Sequence, residues 1–237
     1  MPQFSSEELI DIATVVLQAA GAPPKNACTV AQLLTEANQT GHDSHGLIRL
    51  PQYLQAVESG SMVPDAEVTI PRENPITAVV DGNWGFGQVT MTKAVDIALE
   101  KAGKSGMAAI AVRGANHIGR VGSYADRGAR KGMVALLFVN AVGIPAYRMA
   151  PWGGTESRLA TDPMAIGIPA PNGDPVVIDM TTTVVAEGKV RLKRNRGEPT
   201  PDGWLQDAEG MPTNDPTVLY NAPYGSILPL GGATAGH

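Results

Sequence analysis

Cysteine is almost absent from this sequence, since Cys28 is the only one among 237 residues. A lone thiol cannot form an intrachain disulfide or a thiolate metal cluster, and this usage is typical of a reducing compartment. The amino terminus also lacks the basic segment and apolar run of a signal peptide, because Ser6-Glu7-Glu8 occupies that place. We therefore expect a cytoplasmic protein.

Long apolar runs and an excess of positive charge are missing as well. No stretch approaches the roughly 20 apolar residues of a membrane helix. The formal charge of −5 argues against a nucleic-acid binder, which needs a basic surface to displace counterions from phosphates. The one basic cluster, Lys189 to Arg196, is interpreted as a solvated helical face, with a site for an anionic cofactor as the second reading. We expect neither a membrane nor a nucleic-acid partner.

What is present predicts a globular chain, because 43% of the residues are hydrophobic and 17% are charged. The first sixty residues predict three helices. Ser5 and Glu8 have the spacing of a capping box, and the helix that follows them ends at Gly21. The second helix ends near Gly41. Residues 44–50 then form a helix start or an irregular turn, because Pro51 lacks the amide that interior helical positions donate.

After Gly60 the pattern becomes α/β, with short apolar runs alternating with helical periodicity. The predicted strands are residues 76–81, 107–112, 133–139, 164–168 and 176–179, and the predicted helices are 89–102, 119–131 and 184–194. Residues 197–237 are rich in Gly, Pro, Asp and Asn, which predicts ordered loop with little regular structure.

The segment Gly85-Phe86-Gly87-Gln88-Val89-Thr90, between a predicted strand and a predicted helix, imitates a dinucleotide-binding turn. Thr90 replaces the third glycine and no acidic residue ends the next strand, although Arg113 there could contact a ribose phosphate. We prefer a plain glycine-rich connection in which Trp84 and Phe86 pack on the core.

Residues 41–49, GHDSHGLIR, carry the densest chemistry of the chain. An imidazole can move a proton near neutral pH, and a guanidinium can hold a carboxylate through two parallel hydrogen bonds. Ser44, His45 and Arg49, with Tyr53 one turn further on, therefore predict a site that grips a carboxylate substrate and transfers a proton.

These histidines have two other interpretations. His42 and His45 could hold a metal ion with Asp43 or Glu36, but the chain offers no second cluster, and we predict no metal site. Both histidines could also be surface or cap residues without any chemistry.

Six motifs resemble, in the same order, the malate/L-lactate dehydrogenase family: GHDSHGLIRLPQY, AVRGANHIGRVGSYAD, GTESRLATDP, VVIDMTTTVVAEGK, DGWLQDAEGMPTNDP and GSILPLGG. The resemblance covers nearly all of the chain, and the hydroxycarboxylate type within the family is the most similar. It implies an α/β fold with a mixed, non-Rossmann sheet. Residues 1–60 would form a helical substrate-binding and dimerisation segment, and residues 61–237 the cofactor-binding and catalytic domain.

The resemblance also implies roles for individual residues. His45 matches the proton donor to the substrate carbonyl and Ser44 the residue that assists it, while Arg49 and Thr161 match substrate contacts. Lys189 lies in a matching motif without an assigned role. The matches to cofactor-binding residues form two segments: His117, Ile118, Gly119, Arg120 and Val121, and Asp179, Met180 and Thr181.

The activity implied is that of an oxidoreductase of the EC 1.1.1 type, which transfers a hydride between NAD or NADP and a 2-hydroxy acid/2-oxo acid pair. A homodimer is expected. Two departures stand out: Asp162 replaces the asparagine of a Thr-Asn-Pro motif, and the family continues beyond the Gly-His at positions 236 and 237. We therefore expect a C-terminally truncated fragment, and the alternative is a non-catalytic remnant that acts only by association.

Overall fold

The computed structural model describes residues 3–141 and 147–232. The chain divides into two compact units. The first comprises Met1–Ala135 and Gly167–Val177, and the second comprises Leu136–Ile166 and Ile178–His237. Among the described residues, no helix is long and apolar enough to cross a membrane.

Three helices open the first unit: α1 (Ser6–Ala19), α2 (Pro24–Gln39) and α3 (Leu50–Glu58). The predicted capping box of α1 is confirmed, because the Ser5 hydroxyl accepts from the Glu8 amide and the Glu8 carboxylate accepts from the Ser5 amide. Leu17, Leu34 and Tyr53 pack in one core cluster of this unit. The helical beginning of the chain is thus as predicted.

The rest of the first unit contains a mixed sheet. Its elements are β1 (Thr69–Glu73), β2 (Thr77–Gly85), α4 (Gly87–Ser105), β3 (Ala109–Ala115) and α5 (Gly122–Arg130). The strand order is β1-β2-β3, with β1 antiparallel and β3 parallel to β2. The β2-α4-β3 crossover confirms the predicted α/β fold class. Strand β1 was not predicted, since all five of its residues are exposed and Pro71 interrupts it.

A second sheet has the order β4-β5-β6, from β4 (Ala135–Phe138), β5 (Met164–Ile168) and β6 (Val176–Met180). All three strands were predicted. The second unit also contains α6 (Glu187–Arg196) and a small sheet of order β8-β7-β9, from β7 (Leu205–Gln206), β8 (Pro212–Thr213) and β9 (Ser226–Ile227). The expectation of little regular structure after residue 197 is confirmed for the described residues, which form only these two-residue strands and one 3₁₀ turn, Pro216–Leu219.

The basic cluster forms most of α6, and two of its five cations form ion pairs with carboxylates of the same unit. Arg191 pairs with Glu187 one turn earlier, and the Lys193 ammonium lies 2.7 Å from a Glu198 carboxylate oxygen. The Arg194 guanidinium lies 4.0 Å from the centre of the Tyr220 ring. These contacts favour the interpretation of a helical face over that of an anion site.

The connection between β2 and α4 corrects one expectation. Phe86 is buried as predicted, but Trp84 is 62% exposed. Asn83 and Trp84 both adopt positive φ, of 46° and 60°. Such a left-handed turn is rare for a bulky residue, and its geometry is invisible to a periodicity argument.

Candidate active site

Two short 3₁₀ turns, Asp43–His45 and Leu47–Arg49, carry the chemistry-bearing segment between α2 and α3. Asn38 of α2 fixes both turns, because its amide nitrogen donates to Asp43 at 2.6 Å and its oxygen accepts from the Leu47 amide at 2.9 Å. Gly46 permits this approach, since a Cβ there would lie 2.2 Å from the Asn38 oxygen. The irregular turn predicted from Pro51 is therefore a pair of 3₁₀ turns held in place by Asn38.

Ser44, His45 and Arg49 lie together in this segment, and all three are half-buried. The Ser44 hydroxyl lies 2.9 Å from Nδ1 of His45. The Arg49 Nε donates to the Ser44 carbonyl at 2.6 Å, and its Nη1 donates to the Gln52 side chain at 2.6 Å. The serine therefore orients the imidazole through Nδ1, and the guanidinium is held in a fixed plane beside it.

His117 joins this group from a distant part of the chain. Its ring stacks on that of His45, with centroids 5.4 Å apart and an interplanar angle of 25°. Its Nδ1 lies 2.7 Å from the Tyr53 hydroxyl, and that hydroxyl accepts from Nε2 of Gln88 at 2.6 Å. A hydrogen-bonded chain, Gln88–Tyr53–His117, therefore supports one side of the histidine pair.

Burial and neighbouring positive charges shift the pKa values of His117 and Tyr53. Burial, followed by the charges of Arg49 and His45, lowers the pKa of His117 from 6.5 to about 3. Burial raises the pKa of Tyr53 to about 12, against the opposing effects of its hydrogen bond from Gln88 and of the Arg49 charge. Both groups are consequently neutral near pH 7.

The predicted cofactor turn, residues 117–121, directly precedes α5. Gly119 adopts a positive φ of 78°, and the Tyr124 hydroxyl donates to the Ile118 carbonyl. Arg120 lies 3.4 Å from the Glu36 carboxylate and its side chain is only 11% exposed. The backbone amides of a glycine turn that leads into a helix can donate to the phosphate oxygens of a nicotinamide cofactor. The half-buried ion pair between Arg120 and Glu36 holds that turn against α2.

The other predicted site residues, Thr161 and the segment Asp179–Thr181, lie in the second unit. The Thr161 carbonyl accepts from the Thr182 amide at 3.0 Å, so the two motifs are adjacent within that unit. The Thr181 hydroxyl donates to the Thr183 carbonyl at 3.0 Å. The structure thus groups the predicted residues into two sets, one in each unit.

Asp162 occupies the position where the family pattern has asparagine. It adopts a φ of 28°, and its carboxylate accepts from the Ala141 amide at 3.3 Å. Asparagine and aspartate both tolerate positive φ, and both can accept this bond through Oδ1. Aspartate in place of asparagine at position 162 therefore keeps the hydrogen bond from the Ala141 amide.

Sequence reasoning missed Gln88 and assigned no partner to Tyr53. The sequence did contain a sign of the buried Gln88. In the segment 85–90 a single polar residue stands between a glycine and a valine in the first turn of a buried helix. The metal reading finds no support, since no three His, Cys, Asp or Glu side chains gather around one point in residues 3–141 and 147–232.

The sequence and the fold are similar to those of known proteins. Residues 4–236 match the family described as malate/L-lactate dehydrogenase. The chain is 35% identical over 226 residues to hydroxycarboxylate dehydrogenase B of Escherichia coli K12, covering 95% of this chain and 62% of that protein. It is 38% identical over 230 residues to (2R)-3-sulfolactate dehydrogenase (NADP(+)) of Chromohalobacter salexigens, covering 97% and 67% respectively.

A solved structure, Δ1-piperideine-2-carboxylate reductase from Pseudomonas syringae, superposes with a TM-score of 0.90 at 30% identity, over 98% of this chain and 68% of that one. The chain therefore belongs to the malate/L-lactate dehydrogenase family. It spans 62% of the length of the hydroxycarboxylate relative.

Proposed function

We propose that the protein to which this chain belongs is an oxidoreductase that interconverts a 2-oxo acid and the corresponding 2-hydroxy acid with NAD or NADP. The observation that carries the proposal is the pairing of His45, oriented by Ser44, with Arg49 in one short segment. The names of the relatives, which differ in the acid but share a dehydrogenase or reductase activity, support the same chemistry.

In this proposal Arg49 holds the substrate carboxylate. Its Nε and Nη1 are fixed by Ser44 and Gln52, so the guanidinium loses little freedom when the acid binds. The family resemblance proposes Thr161 as a further substrate contact. The carboxylate binder thereby sets the position of the neighbouring carbonyl carbon.

The bound nicotinamide cofactor supplies the hydride. Negative charge then develops on the carbonyl oxygen, and His45 donates a proton to it; in the reverse direction the same ring accepts the proton. Ser44 engages Nδ1, so the transfer uses Nε2 of His45. Residues 117–121 and 179–181 would hold the cofactor.

We further propose that residues 1–60 form the substrate-binding and dimerisation segment of a cytoplasmic homodimer, and residues 61–237 the cofactor-binding and catalytic domain. The non-catalytic alternative has no support among the relatives reported above. Size-exclusion chromatography combined with light scattering tests the dimer, and a monomer at micromolar concentration would contradict it.

The activity is tested by following the absorbance of NADH and NADPH with a panel of 2-oxo acids, using the protein as its complete gene encodes it. We expect oxidation of one cofactor with at least one acid. A His42→Ala variant, three positions from His45, serves as the matched control and should retain activity. No turnover with any acid, in a protein that binds the cofactor, would contradict the proposal.

A further inference from the structure

The glycine-rich segment that imitates a dinucleotide turn has another role in the fold. A Cβ on Gly87 would lie 2.2 Å from the Asn116 carbonyl oxygen and 2.5 Å from that of His117. The first turn of α4 therefore packs directly on the backbone of residues 116–117. Phe86, just before it, is buried against the Tyr53 ring at a centroid distance of 6.2 Å. Together these contacts bring Gln88, the residue after Gly87, to the Tyr53 hydroxyl.

Gln88 is completely buried, and its amide nitrogen faces the Tyr53 hydroxyl. With Nε2 directed at the Tyr53 hydroxyl, at 2.6 Å, one acceptor, Oε1, is left without a partner. The flipped amide would reverse the bond to Tyr53, so the tautomer of His117 reports which orientation is present.

This orientation decides which group donates in each hydrogen bond of the series Gln88–Tyr53–His117. The Tyr53 oxygen accepts from Gln88, so its single hydrogen is available for Nδ1 of His117, 2.7 Å away. A ring nitrogen that accepts a hydrogen bond carries no proton. In a neutral imidazole the proton must then be on Nε2.

We propose that Gln88 is a positioning residue that, through Tyr53, fixes His117 as the neutral Nε2–H tautomer beside His45. His117 then serves as a permanent hydrogen-bond donor, and His45 is left as the ring that transfers the proton. The consequence for the reaction rests on the proposed function, whereas the tautomer itself does not.

The groups facing His117 are consistent with a neutral ring. Arg49 and His45 are its charged or chargeable neighbours, and Tyr53 is neutral near pH 7. A positive charge on the His117 ring would be repelled by Arg49 and by a charged His45. Because the ring is buried, water could not solvate that charge. Neutrality and the tautomer thus have separate causes: the first is burial and repulsion, the second is the bond from Tyr53.

The test is a two-bond ¹H–¹⁵N correlation spectrum of the imidazole rings, which distinguishes protonated from unprotonated ring nitrogens. The chain has four histidines, so single His→Gln variants of positions 42, 45, 117 and 237 assign every signal. In the wild type at pH 7 we expect Nδ1 of His117 to be unprotonated and Nε2 protonated. A charged ring or the Nδ1–H tautomer would overturn the proposal.

Gln88→Met removes the donor while keeping the side-chain length. Tyr53 can then accept as well as donate, so the signal of His117 Nδ1 should shift toward the protonated position as the two tautomers mix. Tyr53→Phe should have the same effect because it removes the donor to Nδ1. Gln55→Met, on the exposed side of α3, is the control and should leave the spectrum unchanged.

Unchanged His42 signals in each variant show that the fold is retained. If the His117 tautomer in folded Gln88→Met is the same as in the wild type, Gln88 is not the positioning residue and the proposal fails. These spectra need no turnover, so failure of the proposed activity and failure of the tautomer assignment are separate results. Where turnover is measured, Gln88→Met should lower kcat by about tenfold with little change in KM for the acid.

Discussion

Tyr53 and His117 lie 64 positions apart in the chain, and their side chains meet with 2.7 Å between Oη and Nδ1. One residue belongs to the third helix and the other to the turn before α5. This contact joins the segment that carries His45 and Arg49 to the segment proposed to hold the cofactor. Because His117 is buried at this contact, the free energy of unfolding should depend on pH.

Acidification should destabilise the fold through His117. Burial and its positive neighbours lower its pKa to about 3, whereas an unfolded chain protonates histidine near pH 6.5. Unfolding therefore takes up a proton between these values, and the free energy of unfolding falls as the pH drops from 6.5. The slope from this group is at most about 1.4 kcal/mol per pH unit. Urea unfolding at pH 7.0, 6.0 and 5.0 measures it.

The His117→Asn variant isolates this contribution, since the comparison is between slopes and not between absolute stabilities. Its slope between pH 6.5 and 5 should be smaller than that of the wild type. Gln55→Met, an exposed substitution in α3 that removes no titratable group, is the control, and its slope should match the wild type. Equal slopes in all three proteins would mean that His117 is protonated in the folded state.

Loss of the proposed proton donor should impair chemistry more than binding. We expect His45→Ala to lower kcat by roughly 10²–10⁴-fold with a small change in KM, because a proton donor acts chiefly on the transition state. Steady-state kinetics of 2-oxo acid reduction provide the measurement. A variant within threefold of the wild type would remove His45 from the catalytic role and restore its interpretation as a cap residue.

Arg49→Lys keeps the charge and loses the planar fork. Affinity for the carboxylate substrate should fall by about tenfold, the loss of roughly one charge-assisted hydrogen bond, while cofactor affinity stays constant. Arg127→Lys, in an exposed pair with Asp96, is the control and should change neither affinity. If substrate and cofactor binding weaken equally in Arg49→Lys, the arginine is structural or faces the cofactor.

Two glycines of α4 should respond oppositely to the same substitution. Gly87→Ala would force a Cβ to within 2.2 Å of the Asn116 carbonyl oxygen, and overpacking of this kind costs about 1–3 kcal/mol. Gly103 has nothing within 4 Å of its Cβ position, so Gly103→Ala should stabilise the helix by roughly 0.5–1 kcal/mol. Thermal unfolding monitored by circular dichroism compares the two. A neutral Gly87→Ala would show that the first turn of α4 can move away from residues 116–117.

The sequence by itself determined the features that depend on local signals. The capping box at Ser5, the irregular turn forced by Pro51 and the periodic elements from β2 to α6 could all be predicted, because each is encoded within a few consecutive residues. The grouping of Ser44, His45 and Arg49 was predictable for the same reason. The family resemblance extended these inferences to distant motifs.

Only the tertiary structure decided which distant side chains meet. Nothing local to residue 117 shows that its ring stacks on His45, and nothing local to Gln88 shows that its amide reaches Tyr53. These contacts exist because Gly87 allows α4 to lie against the backbone of residues 116–117, which is a matter of close packing between elements. The state of His117 follows from that packing, because burial and the partner on Nδ1, and not the identity of the residue, set its pKa and its tautomer.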